Sequence, residues 1–227
     1  MKQTSERLMP AFFILGLLVL WEGAVRIFGI PLYVLPSPVQ VAETLVQELP
    51  VLALHARVTV AEALAGVAIS LVLALALGVL MDCFPMIRQG LYPVLVVTQT
   101  VPMIVLAPIF IIYMGFGAAP KILTVVLMCF FPVAVSFSDG LSQVDAEYVH
   151  LVRSYGAGQW KTYCLVKIPA AVPALLSGLK VAATYSISGA VVGEWIGSQE
   201  GLGYYLLRVK NGYMLDKVFA CVAVIIF

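Results

Sequence analysis

The sequence predicts an all-α integral membrane protein of about six transmembrane helices, and three observations carry that prediction. Of 227 residues, 62% are hydrophobic and only 11% charged, where soluble domains carry roughly 25% charged residues. The apolar residues gather into runs near the length of about 20 that a spanning helix needs. One long polar stretch, residues 139–169, interrupts them. The runs fall at 10–29, 58–81, 91–115, 119–138, 171–197 and 214–227, within a single transmembrane domain covering 1–227.

The first run follows MKQTSERLMP and has no small-residue cleavage site before Trp21-Glu22, so it reads as a membrane helix, not a removed signal. Glu22 and Arg26 are four apart and are expected to pair on one helix face. Leu35-Pro36-Ser37-Pro38 then reads as an extended entry, because proline lacks a donor and restricts the residue before it. A short interfacial helix is expected from Val39 to Leu49.

The second run carries Glu62, Gly66, Ser70, Ala74 and Gly78 at four-residue spacing, a small-residue face suited to close helix packing within the chain. Glu62 reads as a side chain reaching the interface. Pro102 and Pro108 predict a kink in the third run, around which Gln99, Thr100 and Met103 stand at mid-membrane depth. These three either line a path for a polar or aromatic solute or cap carbonyls released by proline.

The fifth run repeats the small-residue spacing with Gly178, Ala182, Ser186, Ala190 and Glu194, and adds Gly189, Gly193 and Gly197. That glycine density suggests a helix that slides against a symmetric partner. Glu194 and Trp195 are read either as the mouth of a translocation path, with Ser186 on the same helix, or as interfacial anchors. GLGYYL (201–206) reads as a turn or re-entrant segment with aromatic anchors, since no strand precedes it as a dinucleotide fingerprint would require. The sixth run ends inside its apolar stretch at Ile226-Phe227, so a truncated last helix is expected.

The stretch 139–169 reads as two helical pieces hinged at Gly156. Ser142 and Asp145 stand at N-cap and N3 spacing. Val144, Tyr148, Leu151, Val152 and Tyr155 form an apolar stripe at helical period. Gly156 is able to take the positive φ that ends a helix, and a second helix through Trp160 and Tyr163 is expected to end at Ile168-Pro169. His55 and His150 lie outside the runs and read as surface residues.

Net charge is +1, which argues against a nucleic-acid partner. The four cysteines, Cys83, Cys129, Cys164 and Cys221, show no C-x-x-C spacing, so no metal site or disulfide framework is expected. No nucleophile–base pair, phosphate loop or metal-ligand cluster stands in the chain, so no catalytic set and no cofactor of its own are expected. With the N-terminus cytoplasmic, that side holds Lys2, Arg7, Arg88, Arg153, Lys161, Lys167 and Lys180. The other side holds Arg26, Arg57, Lys121, Arg208, Lys210 and Lys217, a slight positive-inside lean.

Gly156, nine residues and then Val166-Lys167-Ile168-Pro169 resembles the second half of the EAA loop of ABC importer permeases. His150-Leu151-Val152 stands where that family has EAA. LPSP (35–38), TVPMIVLAPIFIIYMGFG (100–117) and VVGEWIGSQEGLGYYL (191–206) are similar to the nitrate/sulfonate/taurine branch, and the ending resembles permeases for thiamine-precursor pyrimidines and riboflavin-like heterocycles.

The resemblance implies a homodimer in a bacterial inner membrane, two cytoplasmic ATPase subunits that bind the ATP, and an extracytoplasmic solute-binding protein. It places 139–169 in the cytoplasm as a coupling loop, with Glu147, His150, Leu151, Arg153, Ser154, Tyr155, Gly156, Ala157 and Pro169 toward the ATPase. Gln99, Thr100, Met103, Ser186, Glu194 and Trp195 are the expected path residues. The implied solute is a thiamine-precursor pyrimidine or similar heterocycle, or alternatively a sulfonate, taurine or nitrate. A self-contained secondary transporter is the competing class. It would show internal repeats and paired intramembrane charges.

Overall fold

A computed structural model describes the backbone of residues 2–226 and the side chains of residues 9, 10 and 12–226. Every regular element among the described residues is helical: α1 (Lys2–Ile27), α2 (Pro38–Cys83), α3 (Pro85–Thr98), α4 (Met103–Met114), α5 (Ala118–Ser142), α6 (Ala146–Ser154), α7 (Gln159–Thr162), a π-helical turn (Tyr163–Lys167), α8 (Ile168–Glu194), α9 (Leu202–Asn211) and α10 (Leu215–Ile226). Three helical runs among these residues are long and apolar enough to cross a membrane, Pro38–Cys83, Ala118–Ser142 and Gln159–Glu194. The bent pair α3–α4 makes a fourth if counted as one span.

Prolines mark helix ends less faithfully than the sequence suggests. No break separates Val39–Leu49 from the following span: α2 is one helix of 46 residues with Pro50 inside it. Nor does a helix end at Pro169, because Gln159–Glu194 runs unbroken for 36 residues. The π-helical turn immediately before Pro169 explains the continuity. Its Ile168 N–H bonds back to the Tyr163 carbonyl, and the widened turn makes room for a ring that would otherwise strike the carbonyl four residues back.

Pro102 does the opposite. It stands extended at φ −64° and ψ 117° as the N-cap of α4, and α3 and α4 diverge by 103° there, a break in place of the expected kink.

The chain divides into two compact units, Thr59–Gln199 and the residues up to Val58 together with those from Glu200 on. In the Thr59–Gln199 unit the most extensive contact is α5 against α8, around Val125, Cys129, Val133, Ala134, Ala182 and Ala190. Lipid offers no hydrophobic drive to helix association, so close backbone approach has to supply it.

The glycines do this within the chain. A methyl group at Gly178 would lie 2.8 Å from the Pro132 carbonyl oxygen, and one at Gly193 would lie 3.0 Å from Lys121 Cα. The α8 glycine stripe is therefore spent on α5, which corrects the expectation of a helix sliding on a symmetric partner. The small-residue face of α2 packs in the same way, with Gly66 against Val125 and Gly78 against Phe137. Ser70 bridges helices by donating to the Gly66 and Val126 carbonyls at 2.7 and 3.0 Å.

In the other unit, Glu22 and Arg26 pair at 2.5 Å as the spacing predicts. GLGYYL is not a turn but the start of α9, entered through Gly201 at φ +107°. His55 is half-buried and bonded. Its Nδ1 accepts the Gly201 N–H at 3.1 Å, and its ring lies 5.4 Å from that of Tyr205. Tyr205 donates to Glu48 at 3.0 Å, and Lys217 reaches the same carboxylate at 2.6 Å. Burial, and then the Glu48 carboxylate beside it, push the Tyr205 hydroxyl far above the usual tyrosine range, so it stays protonated as a donor.

Candidate functional site

Helix α6 is built to stand apart. Asp145, not Ser142, is its N-cap, accepting the Glu147 N–H at 2.9 Å. Ser142 instead closes α5, its hydroxyl bonding back to the Asp139 carbonyl, because α5 continues four residues, 139–142, into the expected loop. Glu147 in the first turn and Arg153 in the last complement the helix dipole.

At the C-terminus Gly156 takes φ +82°. The Gly156 N–H bonds to Arg153 O and the Ala157 N–H to Val152 O, which together form a Schellman cap. No residue of α6 is buried. Tyr148, Leu151 and Tyr155 are 63%, 54% and 84% exposed, and Glu147, His150, Arg153 and Ser154 are exposed with them. The loop residues expected to act together thus lie on one exposed helix and its cap. Pro169 is the exception, since it lies within the long helical run.

The six expected path residues fall in separate places. Gln99 and Met103 line a cavity of about 230 Å³ together with Val101, Leu127, Met128, Phe131, Pro132 and Tyr185. Thr100 is not part of the lining. Its hydroxyl bonds to the Val97 carbonyl at 2.8 Å, as a cap on the broken helix. Ser186 is buried and donates to Ala183 O at 2.8 Å.

Glu194 is 1% exposed and accepts from Thr59 at 2.7 Å. Nearby, Lys121 pairs with Glu62 and reaches Ser198 at 3.3 Å. Both ends of the Lys121–Glu62 pair are buried, so Glu62 does not reach the interface as expected. Trp195 lies beside this cluster in sequence, and its indole N–H has no acceptor among the described residues.

A second polar cluster escaped sequence reasoning entirely. Asp82, at the end of α2, accepts from the Tyr163 hydroxyl and from Lys167 Nζ at 2.6 Å. Its neighbour Cys83 donates its thiol to the Tyr163 oxygen at 3.2 Å. The signal that was available is an aspartate at the end of an apolar run, which must be neutralised somewhere. Its partners lie 81 and 85 residues away in sequence. A half-exposed pair, Arg88 with Asp139 at 3.2 Å, adds a weaker tie between α3 and α5.

Among the described residues no group of His, Cys, Asp and Glu is arranged to hold a metal ion. What the geometry offers is an uncovered amphipathic helix, a small uncharged cavity, one buried polar tie and one part-buried one.

Comparison with known proteins adds to this. Residues 66–227 match the family of binding-protein-dependent transport system inner membrane components. The chain is 37% identical to the formylaminopyrimidine transport permease protein ThiX of Halalkalibacterium halodurans, over 97% of this chain and 88% of that protein. It is 30% identical to the riboflavin transport system permease protein RibX of Chloroflexus aurantiacus, over 91% of this chain and 78% of that one. It is also 30% identical to the putative aliphatic sulfonates transport permease protein SsuC of Bacillus subtilis, over 97% and 78%. With an all-helical, membrane-length architecture and a family match over most of its residues, the chain belongs to the inner-membrane permease components of binding-protein-dependent ABC transport systems.

Proposed function

We propose that this chain is the membrane-spanning, non-catalytic subunit of an ATP-driven importer for a small heteroaromatic solute of the pyrimidine kind. It acts as a homodimer with two cytoplasmic ATPase subunits and receives solute from an extracytoplasmic binding protein. The N-terminus and residues 139–169 face the cytoplasm. The observation that carries the coupling role is α6, a capped amphipathic helix whose aromatic and leucine stripe is exposed. An apolar stripe on a helix is ordinarily buried against a partner. Closure of the ATPases on ATP would move α6 and open the path to the far side.

The cavity supports the solute class. Phe131 and Tyr185 offer flat faces, Met103 and Met128 polarisable sulfurs, and Gln99 an amide that both donates and accepts. That set suits an uncharged nitrogen heterocycle. An anion such as a sulfonate would call for a cationic side chain, and none lines the cavity. The formylaminopyrimidine named for ThiX is the guide to the ring.

The test is uptake into cells producing the complete transporter, with labelled aminopyrimidine and taurine in parallel. Pyrimidine uptake that is lost on Leu151→Asp, together with loss of the co-purifying ATPase, is the expected result. Taurine uptake alone would overturn the solute assignment. Retention of the ATPase by Leu151→Asp would overturn the docking role of α6.

A further inference from the structure

We infer that Asp82 is the residue through which movement of α6 enters the membrane helices, a positioning residue for coupling rather than a packing detail. This rests on the coupling role proposed for α6.

Helix α6 buries nothing and touches the rest of its unit chiefly through α7 and the π-helical turn. Apart from the short link of residues 143–145 to α5, displacement of α6 reaches the membrane helices through Tyr163–Lys167. Two side chains of that turn, Tyr163 at its start and Lys167 at its end, converge on the single carboxylate of Asp82. The Lys167 ammonium also sits 5.2 Å from the centre of the Tyr163 ring. Cys83 completes the grip, holding the Tyr163 oxygen from the next residue of α2. Asp82 is only 8% exposed and Lys167 20%, so water screens this pair little. The competing tie at the same end, Arg88 with Asp139, is 34% and 36% exposed and correspondingly screened.

The backbone at this point is suited to the task. A π turn exchanges regular α bonding for longer loops and commonly marks a functional site in a helix. Here it lies within a continuous helical run of 36 residues, at the position where that run meets Asp82 of α2. Release of the Asp82 tie would free this turn to change its pitch, giving the joint a pinned and a released arrangement, the property a coupling element needs.

The experiment uses the complete importer in proteoliposomes, with binding protein and ATPases, and reads solute imported per ATP hydrolysed. Asp82→Asn is expected to lower that ratio by about tenfold while the ATPases still co-purify with the permease. The charge-exchanged double variant, Asp82→Lys with Lys167→Asp, is expected to recover most of it.

An unchanged ratio in Asp82→Asn overturns the inference. So does a fall in permease yield or thermal stability with the surviving molecules coupled normally, since that outcome makes Asp82 purely structural. Failure of the α6 reading is seen separately, in full coupling and full ATPase retention by Leu151→Asp. It would remove the ground on which this inference stands.

Discussion

Lys121 and Glu62 form a contact that a membrane protein cannot lose lightly. Their side chains are 10% and 7% exposed, and removing one partner leaves the other charge buried without compensation. That typically costs about 3–5 kcal/mol. Lys121→Met is therefore expected to lower the thermal midpoint in detergent far more than Lys121→Met combined with Glu62→Gln, and differential scanning fluorimetry reads both. At this scale the sequence was only half legible. Glu22–Arg26 could be paired from i, i+4 spacing. Glu62 was read as reaching the interface and Asp82 was passed over, because their partners on other helices are fixed by tertiary packing that no local pattern reports. Glu194 was singled out as an intramembrane acid, yet its partner Thr59 looked like any residue opening an apolar run.

For helices, the informative residues were those with special backbone demands. Gly156 was identified as a helix stop, and its φ of +82° is the reason. Gly156→Val forces a β-branched residue into a left-handed conformation. Its added side chain meets nothing within 4 Å, so the expected effect is on the cap and not on packing. Insertion and yield should stay near wild type while solute-stimulated ATP hydrolysis uncouples from uptake.

Gly178→Leu tests the opposite case, because there a side chain collides with the α5 backbone. Overpacking of that kind costs about 1–3 kcal/mol, and lower yield and an earlier melt are the expected readout.

The prolines misled for a physical reason. Proline forfeits one backbone bond, whereas ending a helix leaves several backbone groups without helical partners. Continuation through Pro50 and Pro169 is the cheaper solution, helped at Pro169 by the π-helical turn before it. At Pro102 the chain does break, beside the cavity lined by Gln99 and Met103.

For the whole molecule, composition and run length were enough to give the class, and the ordered motifs from residue 35 to 206 gave the family. The spans were less legible. The second run merged with the interfacial helix expected before it, and the third divided where Pro102 interrupts it. The cavity was legible only in part, since Gln99 and Met103 are near one another in sequence whereas Phe131 and Tyr185 arrive from α5 and α8. Tyr185→Ala in the complete transporter should reduce the maximal rate of pyrimidine uptake with little change in the half-saturating concentration, because the binding protein sets the latter. Transport assays over a concentration series separate the two.

The helix from Gln159 to Glu194 carries one further consequence. It meets α2 at Asp82 near one end and at Thr59 near the other, contacts separated along α2 by 23 residues. At 1.5 Å per residue that is about 35 Å, close to the thickness of a bilayer. Two antiparallel beams fastened by a rung at each membrane face behave as a frame. Both beams are also braced on α5 through Gly66, Gly78, Gly178 and Gly193, so they resist sliding and separate only when a rung lets go. A push on the Asp82 rung therefore reaches the opposite end as tilt. Weakening Thr59 or Glu194 should leave the far corner of the frame slack while the near corner still responds.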